Sequence, residues 1–192
     1  MRFLPVALAA SLLSLIGGCG STGNRLGPEY ASASPPPSEG TVVFSTGAAA
    51  PCFQQWTGLV ISPLGRSYYE NVLPFAPVHS VGVDVWTEKS EFADHLGNVS
   101  VLNLPAGDYE AYAVVGGPLR IPYAEFKVDA GKAVYIGEYY LAVACTADRL
   151  AAFRDQEDRD LSIVRQKNPA FASVVFEKRI AQFAGYMIKD KQ

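Results

Sequence analysis

A chain of 192 residues is long enough for one domain and too short for two comfortable ones. Its 16 Lys+Arg against 19 Asp+Glu leave a slightly acidic balance, which gives no reason to expect nucleic-acid binding. The composition is that of a globular protein, and ten Tyr, ten Phe and many Val lean it towards β structure.

Met1-Arg2 forms a short basic start, followed by an apolar run from Phe3 to Ile16 that is too short to span a bilayer with margin. Ile16-Gly17-Gly18-Cys19 comes next: a branched apolar residue, two small residues and a cysteine. Small residues let a peptidase approach extended backbone just before the cysteine. This pattern resembles the lipobox of bacterial lipoproteins. The resemblance implies that residues 1–18 are a signal peptide and that Cys19 is acylated and becomes the first residue. The processed chain would then carry 15 basic against 19 acidic residues, since Arg2 is the only charge removed. Gly20, rather than Asp, follows Cys19, which by resemblance implies the outer membrane, with the domain facing the periplasm. Several acyl chains anchor far better than one. The alternatives are an ordinary cleaved signal peptide with a chance cysteine, or a membrane helix.

Residues 19–40 read as a flexible tether, rich in Ser, Gly, Ala and Pro and including Pro35-Pro36-Pro37. Residues 41–192 are expected to form the domain. Thr41–Ser45 and Thr57–Ile61 read as strands, joined through a loop to Cys52. Ser62–Val78 is a long connection broken by proline. Val81–Thr87 alternates cleanly, with Val81, Val83 and Val85 on one face and Trp86 on the other. Ser90–Gly97 reads as a short helical turn, capped by Ser90 and ended by Gly97.

Leu102–Val115, LNLPAGDYEAYAVV, is the most informative stretch. Asn98–Leu104 and Asp108–Val115 are expected to form an antiparallel hairpin about Pro105-Ala106-Gly107. Pro105 presets φ for the turn, and Gly107 is expected to take a positive φ. Tyr109, Ala111, Ala113 and Val115 share one face of the returning strand, with Asp108, Glu110 and Tyr112 on the other. That alternation suits a half-buried strand. LPAGDYEAYAV resembles the turn of transthyretin-like β-sandwiches, and Phe126–Leu141 and Phe153–Phe171 are similar to segments of lipoproteins with such domains. The resemblance implies a predominantly antiparallel β-sandwich of about seven or eight strands, here followed by a C-terminal helical segment, and carries over no catalytic residue.

Tyr123–Val128 and Lys132–Ala142 read as two further strands about the turn Asp129-Ala130-Gly131. Ala147–Arg154 is open between a last strand and the start of a helix. Asp155–Asn168 is a helix, with acids in its first turn, Arg165 and Lys167 near its end, and Pro169 to stop it. In Ala170–Lys189, Phe176, Ile180, Phe183, Ala184 and Met187 fall on one helical face, which favours helix narrowly over strand.

Cys52 and Cys145 are expected to form a disulfide, since an exported compartment permits one. It would close a loop contributing about 4–5 kcal/mol at most. The alternative is two buried free thiols. His79 lies in a loop. His95 adjoins Asp94, and adjacent residues on a helix do not face each other, so no dyad is expected. Asp155, Glu157, Asp158 and Asp160 read as acids that offset a helix dipole rather than as metal ligands. No catalytic residue, metal or cofactor is expected. Trp56 and Trp86 are candidates for a partner surface, against a covered structural role. The function expected is a lipid-anchored, non-catalytic envelope module with an envelope protein as partner. Two alternatives remain: a part of a secretion or assembly machine, and a small-ligand binder or enzyme.

Overall fold

A computed structural model describes residues 27–49, 58–65, 81–84, 90–114, 120–141 and 151–188. Cys19, Cys52, Cys145, Trp56, Trp86 and His79 lie outside the described residues, as do residues 1–18 and most of the connection 62–78.

Ten strands among the described residues form two five-stranded sheets. In the first sheet β1 (Glu39–Ala48) lies between β4 (Leu96–Pro105), antiparallel, and β7 (Ala133–Leu141), parallel. The far edge of β7 takes β8 (Ala151–Arg154) antiparallel along one half and β9 (Phe176–Lys178) parallel along the other. In the second sheet the order is β10 (Gln182–Ile188), β6 (Arg120–Val128), β5 (Gly107–Val114), β2 (Gly58–Pro63) and β3 (Val81–Asp84), every pair antiparallel. The pairing is predominantly antiparallel, as expected, and the exceptions are the two parallel pairs made by β7.

Strand alternation builds the core. Val42, Phe44, Leu102, Leu104, Val134 and Ile136 of the first sheet meet Leu59, Ile61, Ala111, Ala124, Phe126 and Val128 of the second in one buried apolar cluster. Burying each large aliphatic or aromatic side chain contributes about 1.5–3 kcal/mol. The intervening residues Val43, Val99, Val101 and Tyr135 point the other way. They form a second cluster with Leu161 and Val164 of helix α1 (Glu157–Lys167) and with Phe92, Phe171 and Phe176.

The expected hairpin is not one. β4 belongs to the first sheet and β5 to the second, so Pro105-Ala106-Gly107 is a corner between sheets. Only Ala106 separates the two strands, and a hairpin needs a loop of at least about two residues to fold back in its own plane. Tyr109 closes the corner: its hydroxyl donates to the Pro105 carbonyl at 2.8 Å, and its ring stacks on Phe126. Gly107 is not among the glycines with positive φ, which among the described residues are Gly65, Gly131, Gly137 and Gly185. A Cβ on Gly107 would make only an ordinary contact with Tyr109, at 3.6 Å. The other face of β5 is also less open than expected. Asp108 is exposed, but Tyr112 is buried and Glu110 is 4% exposed, accepting a bond from Ser62 Oγ at 3.1 Å.

Three further expectations are corrected. Ser90–Gly97 is no helical turn: Ser90 Oγ accepts from the N–H groups of Phe92 and Gly97 and donates to the His95 carbonyl, stapling a compact loop. The α-helix expected over Ala170–Lys189 is absent among its described residues, 170–188. A 3-10 turn at Pro169–Phe171 is followed by β9 and β10. There Phe176 packs beside Phe171, while its backbone pairs with β7. Residues 27–40 are docked rather than a free tether, because two asparagine side chains satisfy their backbone groups and β1 already begins at Glu39.

Candidate functional site

The unusual part of the molecule lies on the outer face of the first sheet, under α1. It begins with a bulge in β7. Val43 pairs with Tyr135, yet Ser45 pairs with Glu138, so β7 carries one residue more than β1 between these points. Gly137 takes up the extra residue at φ +102. Its missing Cβ would stand 3.0 Å from the Arg154 carbonyl. In a regular strand Tyr135 and Glu138 would face opposite ways. The bulge turns Glu138 onto the helix side with Tyr135, and so keeps a carboxylate out of the apolar layer.

Glu138 is fully buried and becomes the hub of an ionic cluster. Arg154, its cross-strand neighbour on β8, donates from Nε and Nη2 to Oε2 at 3.0 and 2.5 Å. Arg159, from the first turn of α1, donates from Nη2 to Oε1 at 3.2 Å. His95 places Nε2 2.6 Å from Oε1, and its Nδ1 lies 2.8 Å from Asp94 Oδ1. Asp94 and His95 therefore do meet, against expectation, because the loop that carries them is not helical. The His95 side chain is 6% exposed and that of Asp94 79%. His95 thus links two carboxylates, Glu138 and Asp94, through its two ring nitrogens.

A second carboxylate adjoins the first. Asp160 accepts from Ser45 Oγ at 2.6 Å, from the Tyr135 hydroxyl at 2.9 Å and from Arg159 Nε at 2.8 Å. Tyr135 also accepts the Gln156 N–H at 3.0 Å and so caps α1 from the sheet. Flat groups cover the cations: the Arg154 guanidinium lies 3.4 Å from the centre of the Tyr140 ring, and that of Arg159 lies 3.6 Å from that of Phe92. The cluster sets the Glu138 and Asp160 carboxylates against the Arg154 and Arg159 guanidinium groups.

The environments split the two buried acids. Burial raises Glu138, but hydrogen bonds from Arg154 and His95 and the charge of Arg159 outweigh it, leaving the carboxyl below its ordinary range. Burial also dominates at Asp160 and leaves it above its ordinary range, against the pull of Ser45, Arg159 and Tyr135. Burial and the neighbouring Asp160 charge push the Tyr135 hydroxyl far up, so it remains a donor.

This arrangement is built to hold. It pins the 90–95 loop, β8 and α1 to one point on the sheet. The oxygens of Glu138 and both nitrogens of His95 are engaged by protein groups, and His95 has little access to solvent. Of the acids expected at the start of α1, Asp155 and Glu157 pair with Lys178, whereas Asp160 turns inward. No group of three or more metal-ligating side chains occurs among the described residues. Sequence reasoning missed Glu138, Arg154 and Arg159. The available signal was a glycine followed by an acid inside an apolar strand, AVYIGEYYL, which marks a bulge and an inward charge. Set against protein-family models, curated proteins and solved structures, the chain matches none of them.

Proposed function

We propose that this chain is a bacterial cell-envelope protein, anchored in the outer membrane through acylated Cys19, whose domain is a non-catalytic interaction or structural module. The observation that carries the reading is Ile16-Gly17-Gly18-Cys19 behind the apolar run Phe3–Ile16. The ionic cluster supports the non-catalytic part, since its groups are engaged in holding elements together. An interaction role finds support at β10, an edge strand among the described residues and without a charged residue from Gln182 to Ile188. Edge strands usually carry charges that discourage pairing. Phe183 and Tyr186 are 60% and 50% exposed there. A register shift between Phe183 and Gly185 brings their rings within 5.2 Å, where a regular strand would part them.

The two sheets, with one apolar layer shared between them, support a sandwich of transthyretin-like type. The parallel pairs of β7 and the corner at Pro105 are departures from that reading. Cys52–Cys145 is retained as a proposed disulfide. A non-reduced digest should then yield the two peptides joined, and two freely alkylated thiols in the native protein would contradict it. The anchor is tested with Cys19→Ser. The variant should accumulate as an unprocessed precursor without lipid label, and normal processing would overturn the reading.

A further inference from the structure

We propose that residues 27–38 are a releasable strap that sets how far the domain stands from the lipid surface. The proposal deepens the lipid-anchor reading and rests on it. Two asparagines hold the strap by its backbone. Asn103 of β4 accepts from the Ser32 N–H at 2.9 Å through Oδ1 and donates to the Ser32 carbonyl at 3.0 Å through Nδ2. It does for Ser32 what a neighbouring strand would do. Asn168, at the end of α1, donates from Nδ2 to the carbonyls of Pro28 and Ala31, at 3.0 and 3.2 Å. Pro28 is buried, and Ala31 and Ala33 lean on the outer apolar cluster.

The strap is held at points rather than sealed along its length. A cavity of about 300 Å³ lies where Ala33 and Pro35 face Val174 and Val175. Neutral hydrogen bonds of this kind contribute modestly against water, and Ser32 is exposed. The docked state is favoured by a few modest contacts, so loss of the asparagine bonds is enough to release the strap.

Chain geometry gives the docking its consequence. From Cys19 to Gly27 there are eight residue steps, which span at most about 28 Å however they are arranged. From Cys19 to Glu39, where β1 begins, there are twenty, or at most about 70 Å. With the strap docked, the end of the molecule beside Asn168 stays within the shorter distance of the anchor. Release more than doubles the reach and lets the domain meet a partner standing away from the membrane.

The test is neutron reflectometry of the full chain in a supported bilayer of phosphatidylethanolamine and phosphatidylglycerol. It compares wild type, Asn103→Ala/Asn168→Ala and Ser32→Pro. The last alters the strap alone and removes the N–H that Asn103 holds. Wild type should give a narrow protein layer close to the lipid, and both variants a broader layer displaced outward by up to about 40 Å. Superimposable profiles, or a wild-type layer already spread to the longer reach, would overturn the proposal. A chain that fails to enter the bilayer speaks against lipidation instead. Amide exchange at Ser32 in solution then decides: slow in wild type and faster in Asn103→Ala supports the strap, and equal rates refute it.

Discussion

Val42, Phe44, Val134 and Ile136 face the second sheet across an apolar layer made by simple alternation. On the opposite face of the same strands, Ser45, Tyr135 and Glu138 meet α1, β8 and the 90–95 loop through a few directed polar contacts. The first layer asks only that residues be apolar and of suitable size, so conservative exchanges should be tolerated. The second depends on each partner, because a buried charge left without its counter-ion is costly. The contrast locates specificity. Apolar burial drives the two sheets together, whereas the ionic cluster fixes where the helix and the 90–95 loop sit.

The largest expected effect breaks the second layer. Glu138→Ala leaves Arg154, Arg159 and His95 facing one another without their shared carboxylate. It should lower unfolding free energy by about 3–5 kcal/mol in urea titrations. In the apolar layer, Ile136→Val should lose only about 0.5–1.5 kcal/mol by the same measurement. Comparable losses would erase the distinction between the layers.

Next comes the bulge. Gly137→Ala sets a Cβ on a residue at φ +102 and within 3.0 Å of the Arg154 carbonyl. A loss of about 1–3 kcal/mol is expected, read in the same urea titrations. Removing the corner bond with Tyr109→Phe should cost about 1 kcal/mol, read as a lower melting temperature. Smallest of all is Gly107→Ala. With only a 3.6 Å contact to meet and no positive φ, it should shift stability by no more than about 0.5 kcal/mol. A loss from Gly107→Ala as large as that from Gly137→Ala would show that the strained glycine has been misplaced.

The same contrast explains what could be read from the residues. The strands around Val42, Val101, Phe126 and Val134 announce themselves by alternation, and α1 by its acidic start, basic end and Pro169. Periodicity is a local property, and it failed where pairing decides. Pro105-Ala106-Gly107 marks a turn, but nothing local says whether the next strand joins the same sheet or the facing one. Phe176, Ile180 and Phe183 satisfy a helical spacing by coincidence, while β7 and β6 draw Phe176 and Phe183 into strands and leave Ile180 in the link between them. The ionic cluster was the least legible part. It gathers Ser45, His95, Glu138, Arg154 and Asp160 from distant segments, and the premise of a helical turn had set Asp94 and His95 apart.

The most direct test of the cluster is the pH dependence of stability in wild type and Glu138→Gln. Glu138 lies below its ordinary value of 4.5 in the folded protein, so its ionised form is favoured by folding. Its contribution is fully present above that value and is lost as pH falls through the folded value. Asp160 has the opposite sign: its raised value favours the protonated form, a contribution lost as pH rises from 3.8 through the folded value. Asp160 is present in both proteins, so the difference between them isolates Glu138 to first order. Urea titrations from pH 7 down to pH 3 should show wild type more stable at neutral pH, with the gap closing below about 4.5. A gap that stays constant over the whole range would contradict the claim that an ionised Glu138 holds the helix, the 90–95 loop and β8 in place.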